Sequence, residues 1–347
     1  LLDDPDAGAA NPWGIACTGD GRYLCIAHSG TGEVSVIDRT ALHDRLERIE
    51  KGEATPAASE SPGEVPGDLS FLVGIRRRVR LKGTGPRGIA TVGSRLFAAE
   101  YFSDSLGMTD IRETHSGEPR SIGLAGHEYE TPEHRGEALF HDANLCFQGW
   151  QSCASCHPDG REDGLSWDLL NDGVGNLKNT RSLLYSHRTP PVMITGIRPD
   201  AETAVRAGIR HILMRKVTEE SACALDAYLM SLRPLDSPYL VDGKLSEYAK
   251  RGKRLFESSG CAECHPAPLY TDLGSYDVGT GVGADRNRAF DTPTLVELWR
   301  TSPYLYDGRA ETVYEVLVDH NRRDRHGSTK KLSNTEINDL VEYVLSL

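Results

Sequence analysis

The stretch Gln151-Ser-Cys-Ala-Ser-Cys-His-Pro-Asp159 sets Cys153, Cys156 and His157 in the spacing C-x-x-C-H, and the pentapeptide returns at Cys261-Ala-Glu-Cys264-His265. Two thiols three residues apart can each bond one vinyl-derived carbon of a porphyrin, while the adjacent imidazole reaches the iron as proximal ligand. Each copy therefore reads as an attachment site for a c-type haem, with His157 and His265 as proximal ligands. A structural zinc site or a C-x-x-C redox pair uses the same residues. Zinc, however, normally wants a second C-x-x-C or a His pair near each first one, and neither copy has one.

Outward from these motifs, 347 residues leave room for two or three domains. A hydrophobic content of 38% and a mean hydropathy of −0.43 describe a water-compatible chain, and no run of about 18 apolar residues marks a membrane span. The opening Leu1-Leu-Asp-Asp-Pro5 has neither a basic n-region nor a small-residue cleavage site, so a processed or incomplete N-terminus is expected. A net charge of −12 argues against nucleic acid and anionic membranes. It favours a redox partner protein with basic or mixed charge, such as a small cytochrome or copper protein, although acidity also serves solubility alone.

Beyond the haem motifs, Cys17, Cys25, Cys146 and Cys223 remain. Cys17 and Cys25 flank the turn Gly19-Asp-Gly-Arg22, where they form either a cross-strand disulfide or two small buried thiols. Covalent haem attachment is an extracytoplasmic process in bacteria, where disulfides also persist. A periplasmic location follows as an expectation.

Residues 1–126 read as β-structure. Pro12-Trp-Gly-Ile-Ala-Cys-Thr18, Tyr23-Leu-Cys-Ile-Ala27 and Val34-Ser-Val-Ile-Asp38 are short apolar runs broken by glycine-rich turns. The opening recurs as Pro86-Arg-Gly-Ile-Ala-Thr91, followed by Arg95-Leu-Phe-Ala-Ala-Glu100. The pattern resembles blades of YVTN-type β-propellers. The polar segment from about 40 to 70 reads as an insertion or loop. Two blades do not close a propeller, so the missing blades are expected upstream or in another subunit.

From His127 onward the pattern is helix and loop. Arg135-Gly-Glu-Ala-Leu-Phe140 precedes the first haem motif and Arg251-Gly-Lys-Arg-Leu-Phe256 the second, and each repeat ends alike, in A-Y-L-M-S-L and E-Y-V-L-S-L. In the last helix Ser333 and Glu336 form a capping box, and Ile337, Leu340, Val341, Val344 and Leu345 keep the helical period. Gly136 with Phe140 and Tyr228, and Gly252 with Phe256 and Tyr343, fit the glycine and aromatic roles of crossing cytochrome c helices.

Two such units in tandem resemble the bacterial diheme cytochrome c peroxidase superfamily, which includes the enzyme that matures tryptophan tryptophylquinone. Phe290-Asp-Thr-Pro-Thr-Leu295 and Thr301-Ser-Pro-Tyr-Leu-Tyr-Asp-Gly308 are similar to that family's segment after the second haem. The expected architecture is multidomain: a partial all-β propeller (1–126), then two mainly α-helical cytochrome c domains (127–240 and 241–347).

The resemblance also implies site residues. The family places a distal ligand of the second haem in the helix after P-Y-x-H-D-G, and counting along Thr312 to His320 assigns His320, with His326 behind it. Bis-His ligation would make this haem a low-potential relay. At the first haem the distal Gln and Glu of the peroxidases are not recognisable, which weakens a peroxide-reducing role. His211 lies near the expected position as ligand or acid, Met214 is a rival ligand, and His187 lies where a redox-switched ligand enters in some relatives. Asn179 resembles a calcium-binding asparagine that acts with backbone oxygens near Thr292 and Pro293. Trp167 is a candidate for an electron path between haems or for packing on the porphyrin edge. The expected function is electron transfer, with reduction of peroxide or oxidation of a small-molecule or protein substrate at the first haem. The alternative is a non-catalytic module whose propeller docks a redox partner.

Overall fold

The computed structural model describes residues 2–4, 7–112, 119–124 and 131–347. The expected boundary at 126/127 lies outside the described residues. The chain forms two compact units, residues 1–155 with 209–221 and residues 156–208 with 222–347.

The first unit opens with a short antiparallel pair, β1 (Leu2–Asp4) and β2 (Ala7–Gly8). A four-stranded antiparallel meander follows: β3 (Pro12–Cys17), β4 (Tyr23–His28), β5 (Glu33–Asp38) and β6 (Arg76–Arg80). A second meander comprises β7 (Pro86–Val92), β8 (Arg95–Glu100), β9 (Ser105–Asp110) and β10 (Arg120–Gly123). β3 and β7 run against each other so closely that a Cβ on Gly14 would lie 2.1 Å from the Arg87 carbonyl oxygen. Cys25, Val34, Val36 and Val79 of one sheet bury with Leu96 and Ala98 of the other. The described sheets number two of this kind, and they do not close a ring.

Two expectations change here. Cys17 pairs with Leu24 and Cys25 with Ala16, so a one-residue offset sends the two thiols to opposite faces. Cys17 is exposed and Cys25 buried, both as free thiols. The insertion is also not all loop, because α1 (Arg39–Glu50) occupies its start, capped where Asp38 Oδ1 accepts the Ala41 N–H at 3.1 Å. Arg45 and Ile49 bury on its inner face, and Arg45 donates to the Val73 carbonyl at 3.0 Å. After the insertion β6 completes the sheet with Arg76-Arg-Arg-Val-Arg80, a charged strand that hydrophobic alternation did not reveal. α2 (Pro132–His141) follows, with Gly136 and Phe140 buried.

Around the first motif lie α3 (Cys153–Cys156), the hairpin β11 (Ser166–Trp167) with β12 (Lys178–Asn179), α4 (Ala201–His211) and α5 (Glu219–Ser231). Around the second lie α6 (Glu247–Ser258), α7 (Cys261–Cys264), β13 (Ser275–Tyr276) with β14 (Phe290–Asp291), α8 (Val313–Leu317) and α9 (Asn334–Leu345). Within the second unit the halves exchange backbone bonds. Asn179 N–H donates to the Tyr306 carbonyl at 2.8 Å, and Asp291 N–H donates to the Ile194 carbonyl at 3.0 Å. The internal repeat is thus also a pseudo-symmetric interlock.

α6 crosses α9 as the sequence implied. The capping box at Ser333 and Glu336 is formed, and Phe256 meets Tyr343 edge-on with ring centres 5.3 Å apart. At the crossing a Cβ on Gly252 would lie 1.9 Å from the Asp339 carbonyl oxygen and 2.8 Å from Tyr343 Cβ. Gly252→Ala is expected to destabilise the protein by about 1–3 kcal/mol, the usual range for overpacking. Urea denaturation reads this directly, and an unchanged midpoint would refute the tight crossing.

Candidate functional site

In the second centre, one helical turn, α7, brings Cys261 and Cys264 to the same side. Burial raises the Cys261 thiol to about 11 and lifts Cys264 as well. His265 is buried, and its Nδ1–H donates to the Tyr270 carbonyl at 2.8 Å. That bond fixes the tautomer and puts the lone pair on Nε2, the atom that would take a metal. Burial also holds His265 below its ordinary range, which keeps the ring neutral.

The imidazole that comes to His265 is His326, with ring centres 6.5 Å apart and planes inclined by 45°. Two imidazoles that bind one first-row metal from opposite sides, each at about 2 Å, place their centres roughly 6–6.5 Å apart. The spacing therefore fits a haem iron between them. His326 Nδ1 is buried without a protein partner, and burial, followed by the neighbouring His265, lowers this ring to about 4. Gly327, next to it, approaches the attachment site so that its Cβ position lies 3.5 Å from Cys261 Sγ. His320 sits just past the end of α8, half-buried, with its N–H bonded to the Glu315 carbonyl at 3.0 Å. Beyond it the polar run continues to His326, whose ring is the one that stands beside His265.

In the first centre, α3 carries Cys153 and Cys156, and burial raises the Cys156 thiol to about 11. Asn11, which no motif marked, holds the start of this turn. Its Nδ2 donates to Ser152 Oγ at 2.7 Å, and its Oδ1 accepts from Ser155 Oγ at 2.7 Å. His157 Nδ1–H donates to the Arg161 carbonyl at 3.0 Å, the same arrangement as at His265. Burial lowers His157 too. Arg161 is anchored in turn: Nε lies 2.7 Å and Nη2 2.9 Å from the carboxylate of Glu297, which is fully buried. Glu297 also accepts the Leu235 N–H at 2.6 Å, and Arg161 Nη2 donates to the Arg233 carbonyl at 3.0 Å.

Other expected site residues have definite places. His211, at the end of α4, and Met214, just beyond it, are both solvent-exposed. His187 has Nε2 3.1 Å from Asp226 Oδ1 and Nδ1 3.3 Å from Ser186 Oγ, so both ring nitrogens are engaged. A switched ligand would have to break the Asp226 contact. Asn179 is buried, its Nδ2 donates to the Pro303 carbonyl, and its Oδ1 has no partner. The Thr292 carbonyl accepts from Thr271 Oγ1 at 2.7 Å. Trp167 is exposed and donates to Asp163 Oδ2 at 2.8 Å. Among the described residues no three His, Cys, Asp or Glu side chains gather to hold a bare metal ion.

One further group carries chemistry that sequence did not flag. Glu162, just after the first motif, is raised to about 7 by burial, and Glu297 and Asp163 add to this against the pull of Arg300 and Arg161. Its Oε2 has no partner in the protein, nor does the buried Trp299 Nε1.

The chain is similar to several known proteins that carry c-type cytochrome domains or belong to the diheme peroxidase group. The cytochrome c family matches residues 249–347. The gamma subunit of hydrazine synthase from Kuenenia stuttgartiensis is 31% identical over 269 residues, which cover 61% of this chain and 76% of that protein. The methylamine utilization protein MauG of Methylophilus methylotrophus is 26% identical, over 61% of this chain and 81% of that one. The cytochrome c551 peroxidase of Nitrosomonas europaea is 23% identical, over 61% of this chain and 78% of that one. Among solved structures, Kuenenia stuttgartiensis hydrazine synthase superposes with a TM-score of 0.58 at 29% identity, covering 63% of this chain and 88% of that chain.

Two measurements test the first centre. Glu297→Gln leaves the buried Arg161 cation unpaired and is expected to cost about 3–5 kcal/mol in a denaturant titration. A cost within experimental error would mean that the pair does not anchor the loop. Glu162 has a folded pKa of about 7, above its ordinary value of 4.5. The folded state therefore holds this proton more tightly, and the stabilisation is complete below about pH 4.5 and lost as pH rises through about 7. Glu162→Gln is expected to flatten the fall in melting temperature across that window, and an unaltered slope would contradict the assignment.

Proposed function

This chain belongs to the diheme cytochrome c peroxidase superfamily and is a diheme c-type cytochrome with two covalently attached haems; from that premise we propose that it is a bacterial periplasmic oxidoreductase in which the second centre relays electrons. The observation that carries the proposal is the facing pair His265 and His326. The irons supply one-electron exchange when bound. His265, oriented by Tyr270, would hold the iron on one side and His326 on the other, in the role the sequence assigned to His320. Two imidazoles leave no position for peroxide or water, so this centre suits transfer, with a low potential relative to His/Met ligation. Substrate chemistry, either reduction of peroxide or oxidation of a small molecule or protein, then belongs to the first centre, with His157 as proximal ligand. His211 and Met214 remain the residues for its distal side. The relatives' names, which include a peroxidase and a synthase subunit, support an oxidoreductase.

The partner that fits the chain's acidity is a basic or mixed-charge redox protein, such as a small cytochrome or copper protein. No helix among the described residues is long and apolar enough to cross a membrane. The unpartnered Asn179 Oδ1 supports an oxygen-ligated calcium ion there. A second reading, a non-catalytic module docking through its sheets, is favoured by the missing distal Gln and Glu of the peroxidases.

Resonance Raman and EPR separate the readings. A five-coordinate high-spin iron in the oxidised or half-reduced protein is expected, whereas two low-spin irons in every redox state would leave electron transfer alone. His326→Ala should turn the second haem high-spin and His320→Ala should not. The reverse result would restore His320 as the ligand.

A further inference from the structure

The loop that carries His326 has no regular secondary structure between α8 and α9, yet a ligand to iron must be held in one orientation. Loose chain resists this, since each residue fixed in place costs conformational entropy. One buried side chain answers the problem. Asn321 is 4% exposed. Its Oδ1 accepts the His326 N–H at 2.9 Å, and its Nδ2 faces the His326 carbonyl at 3.0 Å, the Gly327 carbonyl at 2.8 Å and Thr329 Oγ1 at 3.0 Å. Thr329 Oγ1 donates on to the Leu317 carbonyl at 2.7 Å, which ties the loop to the end of α8.

Two further contacts close the loop from outside. Arg325 pairs with Asp277 at 2.7 Å, and Ser328 N–H donates to the Ser259 carbonyl at 2.9 Å, beside the attachment turn. Asn321 therefore grips both backbone polar groups of the residue that faces the iron, and nothing in its own chemistry touches the iron.

We propose that Asn321 is the positioning residue of the second centre, presetting His326 as the sixth ligand so that the site stays closed to external ligands in both oxidation states. The proposal rests on the assignment of His326 made above. Backbone bonds fix where the Cα of His326 sits, and the bonds to Gly327 and Thr329 fix how the chain leaves it. Without the amide the loop exchanges those bonds for water, and the imidazole leaves the iron for a larger fraction of time. That is preorganisation in the loop rather than strength in the iron bond.

Carbon monoxide binding to the fully reduced holoprotein tests this, because it takes the second iron only when His326 has left. The His326→Ala variant supplies the spectrum of the second-haem adduct. In Asn321→Ala the rate of forming that adduct is expected to rise by roughly tenfold or more, in proportion to the open fraction. The reduction potential of the second haem should rise with it, and added imidazole should restore the low-spin spectrum. A variant that keeps the parent's rate and potential while His326→Ala becomes reactive overturns the proposal and leaves the ligand assignment standing. A His326→Ala protein that stays low-spin and unreactive overturns the assignment instead. If Asn321→Ala does not yield folded holoprotein, Thr329→Val, which keeps the side-chain shape and removes one partner of the amide, decides the matter. It should show a smaller rise of the same kind, and no rise counts against Asn321.

Discussion

The pair Arg161–Glu297 organises the second unit. A buried cation and a buried carboxylate are each costly alone, and they are tolerated together because two short parallel bonds and three backbone partners satisfy them. Arg161 lies in the loop whose carbonyl orients His157, and Glu297 lies in the second half, just before the short turn Leu298–Arg300. The pair thus fastens the proximal loop of one repeat to the other. Backbone bonds from Asn179 to Tyr306 and from Asp291 to Ile194 repeat the same connection. The helical halves are consequently held as one interlocked body.

Each proximal histidine is handled alike, with Nδ1–H spent on a carbonyl within the same loop. Beyond that the centres differ. At the second, the backbone of His326 in its loop is held by the buried Asn321 amide. At the first, Asn11 holds Ser152 and Ser155 at the start of the attachment turn, while burial raises the Glu162 carboxyl to about 7 beside the proximal loop. A relay benefits from a closed, fixed ligand set. A site of chemistry benefits from a proton source and an open face. The division of labour between the haems proposed above follows this difference.

Much of this was readable from residue spacing. The attachment motifs are pentapeptides, so their chemistry is local and needs no tertiary context. The strands β3, β4, β5, β7 and β8 announced themselves by alternation and turns, and the crossing of α6 and α9 by Gly252 with its aromatics. What escaped notice was non-local. β6 is a run of arginines whose placement as a strand depends on its neighbour β5. α1 begins at the Asp38 cap but lies in a stretch whose overall composition is that of a loop. Asn11 and Asn321 are ordinary polar residues until their partners are known.

His320 and His326 show the limit most plainly. Both stand in one polar run, and both have the right side chain. The sequence alone determined that the chain binds two haems, each through two thioethers and one neighbouring imidazole, because those bonds are made within five consecutive residues. Which imidazole stands beside His265 was decided only by the tertiary structure. The reason is physical: a distal ligand has to arrive across the porphyrin from a separate part of the chain, and its arrival depends on where the end of α8, the Asn321 amide and the turn at Gly327 place one flexible loop.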